Sequence, residues 1–300
     1  TKISTPSQFP DGAILDEAQR VPQLFSYLQE NADRDSRPGR FIITGSENLA
    51  LSDAVNQSLA GRTAMLVLLP FSLNERTDDP DLDQVLFEGG YPRPLVADIP
   101  HDRWLQDYIA TYVERDVRQI TQVTDLAAFT AFVRLCAGRT AQEVNLSQLG
   151  SDAGISHNTA KAWLSVLEAS YLVMQLPAWH QNVNKRLIKR PKLHFLDTGL
   201  VCSLLGIRNQ QQLVTHPLLG AIFETFVTVE IHKRRLHRGR HSDLHHYRET
   251  RGVEIDVVSP GHPKGFLVEC KAGQTMQQDF LRNLEAFSSD EWGRLLVYGG

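Results

Sequence analysis

Cysteine is scarce in this sequence. Cys136, Cys202 and Cys270 are its three cysteines among 300 residues. They are odd in number, lie far apart and form no Cys-x-x-Cys pair, which argues against a disulfide framework or a cysteine zinc site. Long apolar runs are missing as well. The longest, Ala64 to Phe71, is far shorter than the ~20 residues that span a bilayer, so no membrane partner is implied. No signal-peptide pattern is visible, and a reducing cytoplasm is the expected location. A basic excess is also lacking: 31 Lys and Arg against 35 Asp and Glu give a net charge of −4. Contact with nucleic acid would therefore need a local patch. What remains, 42% hydrophobic and 22% charged residues, is the composition of a soluble globular protein, long enough for two or three domains with ample core.

The stretch around which the chain is organised is Ala13-Ile14-Leu15-Asp16-Glu17, three apolar residues running into two carboxylates. Such a run suits a buried parallel strand, and its acids would then sit at a sheet edge where ligands bind. A second strand-like run, Arg40-Phe41-Ile42-Ile43-Thr44-Gly45-Ser46, ends in small polar residues. Between them Val21, Leu24, Phe25 and Leu28 recur at helical spacing. Strand, helix, strand is the repeat of a parallel α/β sheet, which would bring an acidic strand end beside a hydroxyl-bearing one.

These residues, followed by Ser58-Leu59-Ala60-Gly61-Arg62, Leu69-Pro70-Phe71-Ser72-Leu73, Gly89-Gly90-Tyr91-Pro92, Thr111-Tyr112-Val113-Glu114-Arg115-Asp116-Val117 and Phe195-Leu196-Asp197-Thr198-Gly199-Leu200, come in an order that resembles the prokaryotic AAA-family ATPases carrying a C-terminal domain of unknown function. The resemblance spans nearly the whole chain. It implies ATP and Mg²⁺ as cofactors. Asp16 would hold the Mg²⁺ shell on the Walker B strand, Glu17 would orient the attacking water, and Ser46 would stand on the sensor-1 strand. Arg62, ahead of a strand expected over Thr63 to Leu69, would act on the γ-phosphate in cis or across a homo-oligomer interface; the plainer reading is an arginine that starts a strand. The sequence departs from the family at one point. A Walker A loop, Gly-x-x-x-x-Gly-Lys-Ser/Thr, is required to cradle the phosphates, yet no Gly-Lys dipeptide occurs anywhere, and Gly12 is the one glycine before Asp16. With Thr1 rather than Met at its start, the chain reads as a fragment of a longer ATPase, or else as a degenerate one that lost its loop.

Residues 1–75 are thus expected to be an AAA core remnant. The acidic stretch Arg76 to Asp83 reads as a hinge. From Trp104 to Ile120 the helical spacing of Trp104, Tyr108, Tyr112, Val113, Val117 and Ile120 suits a helical lid over residues 76–125. Residues 126–210 read as a winged helix. Asn145 and Ser156 are N-caps of two helices joined by Gly154-Ile155, a helix-turn-helix pattern. On the second helix Ala160, Trp163, Leu164 and Leu167 form a core stripe, which leaves His157, Asn158, Lys161 and Ser165 for a DNA groove or a protein interface. Lys185, Arg186, Lys189, Arg190 and Lys192 then form a basic wing that would contact phosphates nonspecifically, or a solvated loop.

Residues 211–300 carry a second constellation. A helix over Leu218 to His232 bears Glu224, a basic run starts at Lys233, and three strand-like segments follow. Residues two apart on a strand share a face, so Glu254 pairs with Asp256 and Glu269 with Lys271. If the two faces coincide, three carboxylates and an amine converge. Helix acid, strand Asp and Glu-x-Lys resemble the PD-(D/E)xK nuclease core, in which Asp256 and Glu269 would hold Mg²⁺ and Lys271 would assist the water. The expectation is an α/β multidomain protein: a partial P-loop AAA-type parallel sheet with a helical lid, a winged helix and a mixed α/β nuclease-like domain. Its expected function is ATP hydrolysis coupled to the C-terminal domains. Alternatives are a Mg²⁺-dependent DNA nuclease regulated by the ATPase part, and a non-catalytic nucleic-acid or protein adaptor.

Overall fold

A computed structural model describes residues 9, 11–35, 37–45, 58–97, 99–112, 125–180, 190–249, 252–261, 264–273, 278–286 and 292–299. Its chain contacts divide it into two compact units, Thr1–Val67 and Leu68–Gly300. Both mix helix and strand, so the protein is an α/β protein of more than one part.

The first unit holds two short parallel strands, β1 (Ala13–Leu15) and β2 (Phe41–Ile43), paired Ala13 to Phe41, Ile14 to Ile42 and Leu15 to Ile43. The connecting helix α1 (Gln23–Arg34) buries Phe25 and Leu28, and these pack with Ala18 and Leu59 against Leu15, Phe41 and Ile43. Alternation along a strand sends Ile14 and Ile42 to the opposite face, where they are exposed. The strand expected over Thr63 to Leu69 does not form, and Met65, Leu66 and Leu68 are exposed. An apolar run becomes a strand only when another strand pairs with its backbone.

The second unit begins with Leu68. Three helices follow, α2 (Leu82–Glu88), α3 (Pro92–Val96) and α4 (His101–Tyr108). Beyond α4 the chain stays helical to Tyr112, where the described segment ends; the charged trio Glu114, Arg115 and Asp116 lies outside it. The four-residue spacing stacks Tyr108 on Trp104 and on Tyr112, with ring centroids 5.1 Å apart in each pair. Then come α5 (Leu126–Ala137), β3 (Gln142–Glu143), α6 (Leu146–Asp152), α7 (His157–Ala169), β4 (Val173–Leu176) and β5 (Lys192–Phe195), the strands forming an antiparallel sheet in the order β3-β5-β4. Both expected caps are in place. Asn145 accepts from Gln148 N at 3.2 Å and Ser156 from Thr159 N at 3.1 Å, with Gly154 at φ 71° turning the chain between the helices.

After α8 (Thr198–Leu205) and α9 (Gln210–Val214), the long helix α10 (Leu219–Leu236) leads into β6 (His245–Arg248), β7 (Glu254–Ser259), β8 (Gly265–Ala272), α11 (Arg282–Ala286) and β9 (Trp292–Gly299). The sheet order is β6-β7-β8-β9, antiparallel at the first two pairings and parallel at the last. A bulge lies between β6 and β7. Val257, Val268 and Cys270 pack in the large core with Ile222 and Phe223 of α10, whereas Ile255, Val258 and Leu267 pack with Leu284 of α11.

Three of the motifs that carry the family resemblance meet in one hydrogen-bonded knot within this unit. Phe71 N donates to Gly90 O at 2.7 Å, and Gly90 N to Asp197 Oδ2 at 2.7 Å. The other oxygen of Asp197 caps α8 through Leu200 N at 2.8 Å. Lys233 Nζ reaches Phe71 O at 2.9 Å, and Leu73 N donates to Glu230 Oε2 at 2.9 Å. Gly90 is required here because a Cβ would run into the Phe71 carbonyl. Lys233, the first residue of the basic run, is buried, and its ammonium reaches from α10 into this knot.

Candidate functional site

At the strand ends of the first unit the register sets Asp16 beside Thr44. The Thr44 hydroxyl donates to the Asp16 carboxylate, and Thr44 N donates to Leu15 O at 2.9 Å. The expectation that an acidic and a hydroxyl-bearing strand end lie side by side is met by this pair. Glu17 follows in a left-handed conformation, φ 52° and ψ 39°, which turns its carboxylate toward Arg20 at 3.2 Å. Non-glycine residues seldom occupy that region. Arg62 is bound to Asp33, near the end of α1, at 2.6 Å and to Ala60 O at 3.3 Å, so its described partners are not at the strand ends. Ser46 lies outside the described residues.

The C-terminal acids are arranged differently from the expectation. Glu254 and Asp256 do share a face, and Glu269 does pair with Lys271, at 2.7 Å. The two pairs do not converge on Lys271. The amine that gathers Glu224, Glu254 and Asp256 is Lys192, the first residue of β5, at 2.8, 2.9 and 3.4 Å. Its side chain is 3% exposed. Glu269 instead keeps company with Lys271 and with Asn283 of α11, whose amide donates to it at 3.1 Å. The split follows from the two faces of the sheet: Lys192 and Glu224 come from the α10 side, Asn283 from the α11 side. The β7–β8 ladder ends at Val257 and Val268, and past it the N–H of Cys270 is taken by Asp256 Oδ2 at 2.8 Å.

The electrostatics follow from burial. Burial works against the charge of Lys192, but Glu224, Asp256 and Glu254 together hold its pKa above the ordinary lysine value. Three carboxylates on one ammonium are one too many to ionise comfortably. Burial, then the nearby Asp256, pushes the Glu224 carboxyl up to about 8 despite Lys192. Burial also works to raise Glu254, and Lys192 overcomes it, leaving that carboxyl below its usual range. Glu269 is raised by burial and by Asp256, against the pull of Lys271. Its Oε2 is buried with no hydrogen-bond partner among the described residues. Among the described residues no group of three or more His, Cys, Asp or Glu is set to hold a metal ion.

His157, Asn158, Lys161 and Ser165 are exposed along α7, while Ala160, Trp163, Leu164 and Leu167 are buried. Arg190 is exposed; Lys185, Arg186 and Lys189 lie outside the described residues. Lys192, grouped with them by charge density, is the correction: it belongs to the acid cluster and not to a wing. Its signal in the sequence was its neighbourhood. Lys192 opens the run Lys-Leu-His-Phe, all four residues of which are buried, and a lysine in such a strand must find carboxylates.

Residues 4–77 match the family model described as an AAA domain. Residues 79–211 match a Domain of unknown function (DUF8612), and residues 219–300 another, DUF4143. The chain therefore carries an AAA-type domain match at its N-terminus and a domain of unknown function at its C-terminus. Two curated relatives, an uncharacterized protein of Mycobacterium tuberculosis and one of Mycobacterium bovis, are each 31% identical over 259 residues, which cover 85% of this chain. The chain spans 58% of the length of these relatives in that match. No solved structure matches. No helix among the described residues is long and apolar enough to cross a membrane.

Proposed function

We propose that this chain is the Mg²⁺-holding and water-orienting part of an AAA-type ATPase, joined to a winged-helix module and a nuclease-like C-terminal domain that its nucleotide cycle moves or gates. The observation that carries this reading is the parallel β1–β2 pair ending in Asp16 and Thr44, within a stretch that matches an AAA domain. A strand-end carboxylate held by a neighbouring hydroxyl is a fitting donor for Mg²⁺, which would neutralise charge on the phosphates when bound. Asp16 would hold the ion, Glu17 would orient the water, and Ser46 would sense the phosphate. Arg62 would serve as the γ-phosphate cation only after leaving Asp33. These 300 residues hold no Gly-Lys dipeptide to cradle the phosphates, so the chain itself should turn over ATP slowly or not at all. In any longer product of the same gene that carries such a loop, Glu17→Gln should stop hydrolysis while ATP stays bound. ATP turnover untouched by Asp16→Asn and Glu17→Gln in that product would overturn the reading.

The winged-helix assignment is supported by the order helix, strand, two helices, two strands, with the sheet order β3-β5-β4. DNA is the partner this favours, through His157, Asn158, Lys161 and Arg190 with Lys185, Arg186 and Lys189. Replacing the four basic residues Lys185, Arg186, Lys189 and Arg190 by Ala should weaken binding to any duplex and flatten its salt dependence. Unchanged affinity and slope would leave α7 as a protein interface.

The nuclease-like assignment is supported by the order helix, three strands, helix, strand in α10 to β9, with β9 parallel to β8 and with Asp256 and Glu269 close enough to act on each other's charge. The residues do not fit a bound metal as they stand, because Lys192 already takes Glu224, Glu254 and Asp256. The reading therefore extends to the fold and not to metal-dependent cleavage. Mn²⁺-dependent nicking of DNA by the chain, lost in Asp256→Asn, would restore cleavage.

A further inference from the structure

We propose that Lys192 is the built-in cation of the C-terminal acid cluster, closing it against divalent metal and fastening the strand β5 that bears it to α10 and β7. The proposal rests on the nuclease-like reading of the domain only for what the acids would otherwise bind; the fastening stands on contacts alone. Lys192 Nζ lies within 2.8–3.4 Å of carboxylate oxygens from three residues on two elements, α10 and β7, while the lysine itself comes from β5 of the preceding module. That is the place a divalent ion would take, at the edge where β7 and β8 part. An ammonium has one charge where such an ion has two, so the cluster keeps a deficit. With Lys192 in place a metal would have to bring its own charge into a site already held by a cation of the same sign. Without it, Glu224, Glu254 and Asp256 would face one another with nothing between them, and Mn²⁺ would relieve all three.

The probe is Mn²⁺ alone, added to the whole 300-residue chain and followed by thermal melting and by direct titration of the free ion. The unaltered chain should ignore Mn²⁺. Lys192→Ala should bind it, with a melting temperature that rises by several degrees once the ion is about a hundredfold above its dissociation constant. Lys192→Arg, which keeps the charge, should ignore it. The paired change Lys192→Ala with Glu254→Gln removes one charge of each sign; it keeps the test open if the single variant fails to fold, and it should also bind Mn²⁺, more weakly. Mn²⁺ that stabilises the unaltered chain as much as the variants would overturn the closure, and loss of that effect in Asp256→Asn would at the same time support the nuclease-like site. Variants that fold and still ignore Mn²⁺ would overturn the idea that Lys192 stands in for a metal, and the metal-site reading would fall with it.

Discussion

At the end of β1 the carboxylate of Asp16 is exposed and meets one threonine hydroxyl, whereas on β7 the carboxylate of Asp256 is 6% exposed and meets a lysine and a backbone N–H. Both are acids borne by the strands of small sheets. The first unit leaves its acid in water, next to apolar side chains such as Ile14 and Ile42 that are themselves uncovered. The second buries its acids and therefore has to provide the opposite charge from within the chain. An acid ready for a ligand costs the fold little while it waits in solvent, and a buried acid is ready for nothing until its internal partner leaves.

The comparison can be broken most forcefully at Lys192. Lys192→Met should lower the stability of the second unit by ~3–5 kcal/mol, because it leaves buried carboxylates uncompensated. Urea unfolding followed by tryptophan fluorescence would measure it, and a change under ~1 kcal/mol would make the cluster as open as the strand end of β1. Asp197→Ala is next. It removes the cap of α8 and strands the N–H of Gly90, together worth ~2–4 kcal/mol by the same measurement.

Acidity gives a third and smaller effect. The folded chain raises the Glu224 carboxyl to about 8, above its unfolded value, so the native state binds that proton more tightly. Its contribution to stability is full at low pH and is lost as pH rises from about 4.5 through about 8. His232, lowered to about 4 by burial, and His194, lowered well below its usual value by burial, act in the opposite sense, but only up to about 6.5. Between about pH 6.5 and about 8 the unaltered chain should therefore lose ~1–2 kcal/mol that Glu224→Gln does not lose. Equal slopes in the two proteins would remove Glu224 from the account. The smallest effect should come from the open site. Asp16→Asn should change stability by no more than ~0.5 kcal/mol, since the side chain is exposed. A cost of about 2 kcal/mol or more, well outside that range, would mean that Asp16 holds the fold together as the buried acids do.

The sequence made local features legible where a single residue type has one physical use. Asn145 and Ser156 could be placed as caps, Gly154 as the turn between their helices, and Leu15 and Ile43 as strand ends flanking α1. The pairing of Glu269 with Lys271 follows from strand periodicity in the same way. What stayed hidden needed partners distant in the chain. Lys192 sits in a run of basic residues that reads as solvated, and only the arrival of Glu224 and Asp256 makes it an interior residue; Lys233 opens a second basic run and reaches the interior by meeting Phe71. The run from Thr63 to Leu69 failed as a strand for a related reason: apolar composition is local, but a backbone partner is not. The assumption that the two acidic faces coincide could not be tested by periodicity either, because periodicity along one strand does not fix where its pairing with the next strand stops, and the β7–β8 ladder stops at Val257 and Val268.

The knot of Phe71, Gly90, Asp197 and Lys233 bears on how the molecule can be taken apart. A truncation guided by family boundaries would fall between residues 77 and 79 and keep everything downstream. That piece would retain Gly90 and Lys233 but lose Phe71 and Leu73, so an interior ammonium would lose its carbonyl and Glu230 the backbone N–H it accepts. A cut between Val67 and Leu68 spares all of these bonds. The stretch that sequence kinship recognises as a module and the compact unit that the chain's contacts define thus begin eleven residues apart, at Asp79 and at Leu68.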